Sequence, residues 1–250
     1  MKHLTLPLAA VLTLLCGPAL LAQEQSAARE LTLRGYLHDP VKPAPEPFVF
    51  KEPEKSGGKA TPITWRADNL SDSIKVRAVE NTLFLHLPDG RMAARTTVAG
   101  NIRRGIVIVV PSSAAGADLP FRMLLIDDDP ARFPYGTSKV LNMTDAEAAV
   151  LVDQGKADAE AEPHRILLPS GQVSTIPEVS KDGKGKSAQT NFYIKVKKDN
   201  TWVPITERVL EYSDQLRRVY FIFTTPGSRR PPFVRTLLDR KPFTGQDDAG

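Results

Sequence analysis

The stretch RRGIVIVVP, residues 103–111, decides the reading of the fold. From Gly105 to Val110 it holds no polar side chain, and Pro111 closes it. A strand with one face in water alternates apolar and polar residues. NFYIKVKK (191–198) does so, with Phe192, Ile194 and Val196 on one face and Tyr193, Lys195 and Lys197 on the other. An unbroken run of β-branched residues marks instead a strand covered on both faces. Residues 105–110 therefore call for a core on each side.

Outward from this run the chain is a succession of short, Val-, Ile- and Phe-rich segments bounded by Gly, Pro, Asp or Asn. They are ITWRA (63–67), SIKVRAV (73–79), TLFLHL (82–87), PFRMLLID (120–127), TSKVLNM (137–143), AAVLVD (148–153), HRILLP (164–169), QVSTIPEV (172–179), TWVPITERVLEY (201–212), LRRVYFIFTT (216–225) and PFVRTLLD (232–239). Long amphipathic helices between strands, the mark of a parallel α/β fold, are missing. The expected fold is mainly β, an antiparallel β-sandwich over residues 47–242 with few short helices. Two packed β-units, divided near residue 130, are the variant of the same reading. TDAEAAVLVDQGK (144–156) carries a Thr144/Glu147 capping box, a helix-start signal. TERVLEYSDQLRR (206–218) has weaker helical spacing, and a hairpin turning at Ser213–Gln215 is preferred there.

The first 22 residues, MKHLTLPLAAVLTLLCGPALLA, have one early charge at Lys2, an apolar core and a small-residue end. That is the form of a secretory signal, with cleavage expected after Ala22. Cys16 is preceded by Leu15 rather than a small residue, so lipid attachment there is not the favoured reading. It is the chain's only cysteine, which leaves no partner for an intramolecular disulfide. Residues 23–46, with prolines at 40, 43 and 45, read as an extended Pro-rich tether, and residues 243–250 as a flexible tail. The expected location is the periplasm or the extracellular space, with no transmembrane span in the mature chain.

Two stretches echo one another: RADNLSDSIKV (66–76) and FPYGTSKVLNMTD (133–145). Asn followed by Ser or Thr and Asp suits turns, because these side chains bond back to nearby amides. Each block leads to a Pro-x-Gly turn, LPDG (87–90) and LPSG (168–171). Asn69 and Asn142 also fit the N-x-S/T acceptor pattern. Together with WVPITERVLEYSDQLRRVYFIFTTPG and FVRTLLD, the block FPYGTSKVLNMTDAEAAVLVDQGKADAEAEPHRILLPSG (133–171) resembles exported bacterial proteins of unknown function from the planctomycete–verrucomicrobial group. The resemblance covers about a third of the chain and implies a β-sandwich. It transfers no catalytic residue.

Chemistry-bearing motifs have structural readings. GKGKS (183–187) lacks the leading glycine of a phosphate-binding loop. Asp127–Asp129 form an acidic, strand-ending turn without the spaced oxygens of a calcium loop. His38, His86 and His164 stand far apart, and no Gly-x-Ser-x-Gly elbow is present. Trp65 and Trp202 read as buried anchors, with a ligand platform as the lesser reading. No metal or cofactor is expected.

The formal net charge is +4, but residues 181–241 alone hold 14 basic and 6 acidic residues. Lys195, Lys197 and Lys198 end one predicted strand, and Arg217 and Arg218 begin another. If those strands are neighbours, the five cations form an anion-binding patch. The function expected from this pattern is that of an exported, non-catalytic protein of the periplasm or cell envelope, acting through protein or anionic-polymer contacts. An exported chain is not expected to meet nucleic acid. The alternative is a carbohydrate-active or other hydrolytic enzyme with dispersed catalytic residues.

Overall fold

A computed structural model describes residues 28–38, 48–53, 58–66, 68–112, 117–153, 163–176, 186–196, 198–225 and 231–241. The signal-like residues 1–22, most of the Pro-rich segment, residues 181–185 of the Gly/Lys loop and the tail from residue 242 lie outside them. Among the described residues all regular structure is β, in sixteen strands and four four-stranded sheets.

Sheet I has the order β4 (Ile74–Ala78), β1 (Arg29–Leu37), β7 (Arg104–Pro111), β8 (Phe121–Asp127). Sheet II has β3 (Ala60–Ile63), β2 (Phe48–Lys51), β5 (Thr82–His86), β6 (Met92–Thr97). Sheet III has β12 (Val173–Ile176), β9 (Ser138–Asn142), β15 (Leu216–Phe223), β16 (Phe233–Arg240). Sheet IV has β11 (His164–Leu168), β10 (Ala148–Asp153), β13 (Lys186–Lys195), β14 (Trp202–Tyr212). Adding eight to each strand number of sheets I and II gives sheets III and IV in the same order. The strand pairing of the first half thus recurs in the second.

Sheets I and III are mixed rather than antiparallel. β1 runs parallel to β7, with Arg34 opposite Ile106, and β9 runs parallel to β15, with Val140 opposite Tyr220. The central strands β7 and β15 are buried on both faces, as residues 105–110 required. Val107 and Val109 join Leu31, Leu33, Phe48, Phe50, Leu83 and Leu85 in an apolar cluster drawn from sheets I and II. Tyr220 and Ile222 join Val150, Phe192 and Ile194 in one drawn from sheets III and IV. The opposite faces meet in a third cluster, where Tyr36, Ile106, Ile108 and Ile126 of sheet I lie with Leu141, Phe221, Phe223 and Leu237 of sheet III.

The structure corrects three further expectations. Arg29–Leu37, assigned to the tether, is a central strand of sheet I, and its Leu31 and Leu33 alternate into the first core. Residues 144–153, the described part of the 144–156 segment, start no helix: Ala148–Asp153 is β10. The Thr144 hydroxyl is spent on Asn142 Oδ1 at 2.7 Å and the Ala146 carbonyl at 3.1 Å, which stabilises a turn. Residues 206–218 are two strands joined by a turn at Ser213–Gln215, as preferred, but β14 and β15 belong to different sheets, so no hairpin forms.

Close approach decides one glycine. A Cβ on Gly35 would lie 2.6 Å from Trp65 Cζ3 and 2.8 Å from Ile63 Cδ1. Trp65 therefore packs onto bare backbone, as a buried anchor. Pro62 in β3 and Pro204 in β14 fall on edge strands, where proline is tolerated, and Pro111 ends the central strand β7. Both Pro-x-Gly turns form, with Gly90 at φ +87° and Gly171 at φ +74°.

The two echoing blocks are not equivalent places. Asn142 ends β9 and is fully buried. Its amide donates to the Ala146 and Leu168 carbonyls, and its Oδ1 accepts from the Thr144 N–H. Asn69 is exposed and precedes β4. The buried polar residue there is Ser71, whose hydroxyl accepts from Gly35 N–H at 2.8 Å. As an acceptor for glycan attachment, folded Asn142 is out of reach, whereas Asn69 is accessible.

Candidate functional site

Four charged side chains close a ring between sheets I and III. Arg34, on the face of β1 turned toward sheet III, donates to Asp128 Oδ2 through Nε at 3.1 Å and to Asp128 Oδ1 through Nη2 at 2.9 Å. It also donates to both oxygens of Asp239, at 3.0 and 2.8 Å. Arg217, opposite Asp239 in the β15–β16 ladder, donates to Asp239 at 2.7 Å and to Asp128 Oδ1. Its third contact is the Phe133 carbonyl at 2.8 Å, and its guanidinium lies over the Phe133 and Tyr135 rings. Burial alone would raise the Asp239 carboxyl, but hydrogen bonds from Arg34 and the charges of Arg34 and Arg217 hold it below its ordinary value. Burial alone would lower Arg34, but its bonds to Asp239 and Asp128 raise it. Alternating charges with satisfied donors make a structural joint. They leave little freedom for proton transfer.

The acidic turn is consumed in the same way. Asp127 and Asp129 pair with Arg132, and Lys139 donates to the Asp127 carbonyl at 3.2 Å. Burial lowers the Lys139 ammonium below its ordinary value. Among the described residues no group of three or more His, Cys, Asp or Glu is placed to hold a metal ion. The histidines are also dispersed. His38 packs edge-on to Phe223 with ring centroids 4.4 Å apart, His86 lies on β5, and His164 begins β11.

Four of the five expected cations are among the described residues, and they divide between two sheets. Lys195 and Lys198 flank the end of β13 in sheet IV, whereas Arg217 and Arg218 open β15 in sheet III and are buried. Lys197 lies outside the described residues. The alternation that places Lys195 on a free face holds, but neighbouring of the two strands fails because β13 pairs with β10 and β14.

What sheet IV gathers is different. On β10, Val150 and Val152 enter the core, so Ala149 and Leu151 turn the other way. Their ladder partners on that free face are Leu167 and Tyr193, and Arg165 and Asn191. Trp202, opposite Lys195, completes it. Ala149, Leu151, Arg165, Tyr193 and Trp202 line a groove of about 230 Å³. Arg165 lies 5.3 Å and Lys195 5.6 Å from the Trp202 ring centroid, within cation–π range. Lys195 is also paired to Glu147 at 3.1 Å. Exposed Arg165 has no carboxylate partner among the described residues. The surface thus offers an apolar, aromatic floor beside a guanidinium that has no carboxylate partner among the described residues. Tyr193 and Trp202 were legible as strand residues, but Arg165, 37 residues before Trp202, was not legible as their neighbour.

The corresponding free face of sheet II carries a larger hollow lined by Thr82, Phe84, Arg95, Thr96 and Thr97. No family model matches the chain, and no curated protein matches it in sequence. Among the described residues no helix is long and apolar enough to cross a membrane.

Proposed function

We propose that the protein is an exported, non-catalytic pair of β-sandwiches of the periplasm or cell envelope, and that it works by contact through the free face of sheet IV. Three apolar clusters support a stacking order of sheets II, I, III and IV, with I and III inside. Export rests on the signal-like form of residues 1–22, and kinship with exported proteins of the planctomycete–verrucomicrobial group on the blocks quoted above. The observation that carries the contact reading is the groove at Trp202, where aromatic surface meets the Arg165 guanidinium, which has no carboxylate partner among the described residues. Aromatic residues and arginine are the types that dominate binding surfaces. The hydrolase alternative draws no support from Asp128 and Asp239, since two arginines hold each of them.

Retention of the mature protein on acidic and neutral polysaccharide columns tests the reading. Wild type and Phe84→Ala are expected to be retarded at low salt, and the Tyr193→Ala/Trp202→Ala double variant to elute in the void. Equal retention of the double variant, or no retention on any column, contradicts it.

A further inference from the structure

We infer that the sheet IV groove takes a carboxylate-bearing sugar ring of an acidic polysaccharide, which names a ligand class for the surface proposed above and rests on that proposal. The floor selects first. Trp202, Tyr193, Ala149 and Leu151 present apolar surface suited to the C–H face of a ring, and a bare phosphate has no such face. The volume, about 230 Å³, lies below the roughly 300–1,000 Å³ of pockets that enclose a drug-sized molecule. A single ring of a longer chain lying across the sheet suits it better than an enclosed small molecule.

Charge selects next. Arg165 borders the floor with no acid partner among the described residues, and its planar fork matches a carboxylate in bidentate geometry. Lys195, half-neutralised by Glu147, adds attraction without a free pair. A cationic ligand would meet two like charges over the Trp202 ring. Over residues 133–241, which carry sheets III and IV, 17 basic against 13 acidic residues leave a small positive excess that favours a polyanion. Phe84 and Arg95 on sheet II lie in a hollow that is larger and threonine-lined, so the same ring finds no apolar floor there.

Calorimetric titration of the mature protein with trigalacturonate and with its fully methyl-esterified form reads both parts of the inference. Wild type is expected to bind the acid about tenfold more tightly than the ester at low salt, the effect of one charge-assisted pair. Arg165→Gln is expected to bind the two forms alike, at the wild-type level for the ester, while Arg95→Gln behaves as wild type. Trp202→Ala is expected to lose both. Equal wild-type affinity for acid and ester, or discrimination surviving in Arg165→Gln, overturns the carboxylate assignment and leaves the surface standing. Wild-type binding undiminished in Trp202→Ala overturns the surface as well. No binding of either form overturns this ligand class, and retention of wild type on a different polymer column then keeps the surface.

Discussion

Sheets II and IV hold the same place in the two halves of the chain, yet their free faces differ. On sheet II a single aromatic, Phe84, lies among threonines and Arg95 in the lining of a hollow. On sheet IV two aromatics, Tyr193 and Trp202, sit above Ala149 and Leu151, with Arg165 beside them. The sheets I and III behind them are alike, each with a central strand buried on both faces and an inner pair that runs parallel. Strands that must fill two cores have little room to vary. Free faces answer only to what they contact, so the difference between sheets II and IV is where a specialised role would appear.

Alikeness at the centre is tested most severely at the charged ring. Asp128 is 2% exposed and touches Arg34 and Arg217, one from each half. Asp128→Ala leaves both guanidiniums short of a counter-charge in a buried site. A loss of about 3–5 kcal/mol in urea unfolding is expected, in one transition that both halves share. Glu147→Gln, which breaks a half-exposed pair with Lys195, is the reference, with an expected loss of about 0–1 kcal/mol. Equal losses for the two, or separate transitions for the halves, would show that the ring does not join them.

A smaller effect follows from pH. The folded Asp239 carboxyl sits below its ordinary value, so the unfolded chain takes up this proton first as pH falls. Its contribution is complete above the unfolded value, near about pH 4, and is lost as pH drops through the folded one. The melting temperature should therefore fall on acidification below about pH 5, and fall less steeply in Asp239→Asn. Parallel curves for the two proteins would remove Asp239 from the ring's energetics.

Much of the scaffold was legible because burial leaves local marks. Residues 105–110 lacked polar side chains because both faces of β7 are covered, and Phe192 and Ile194 alternated because only one face of β13 is. β1 was hidden by its neighbours: the prolines from residue 40 onward gave the whole region a linker's composition, although Leu31 and Leu33 already alternated. The capping box at Thr144 misled because the same hydroxyl serves an Asn-centred turn, and the β-branched run after it settled the matter in favour of a strand. Parallel pairing of β1 with β7 and of β9 with β15 leaves no local mark, since it depends on where distant strands return. The ring was illegible for the same reason: Arg34 finds Asp128 and Asp239 across 94 and 205 residues. The visible echo at Asn69 and Asn142 came from turn chemistry. The repeat of strand order lies elsewhere, in strands entered through Arg103-Arg104 and Arg217-Arg218.

The difference between the two free faces is tested most directly by backbone NMR of the isotopically labelled mature protein titrated with trigalacturonate. Saturable shifts are expected at Ala149, Leu151, Arg165, Tyr193 and Trp202, with Thr82–His86 and Met92–Thr97 unmoved. Shifts centred on β5 and β6, or spread evenly over both sheets, would contradict a recognition surface confined to sheet IV.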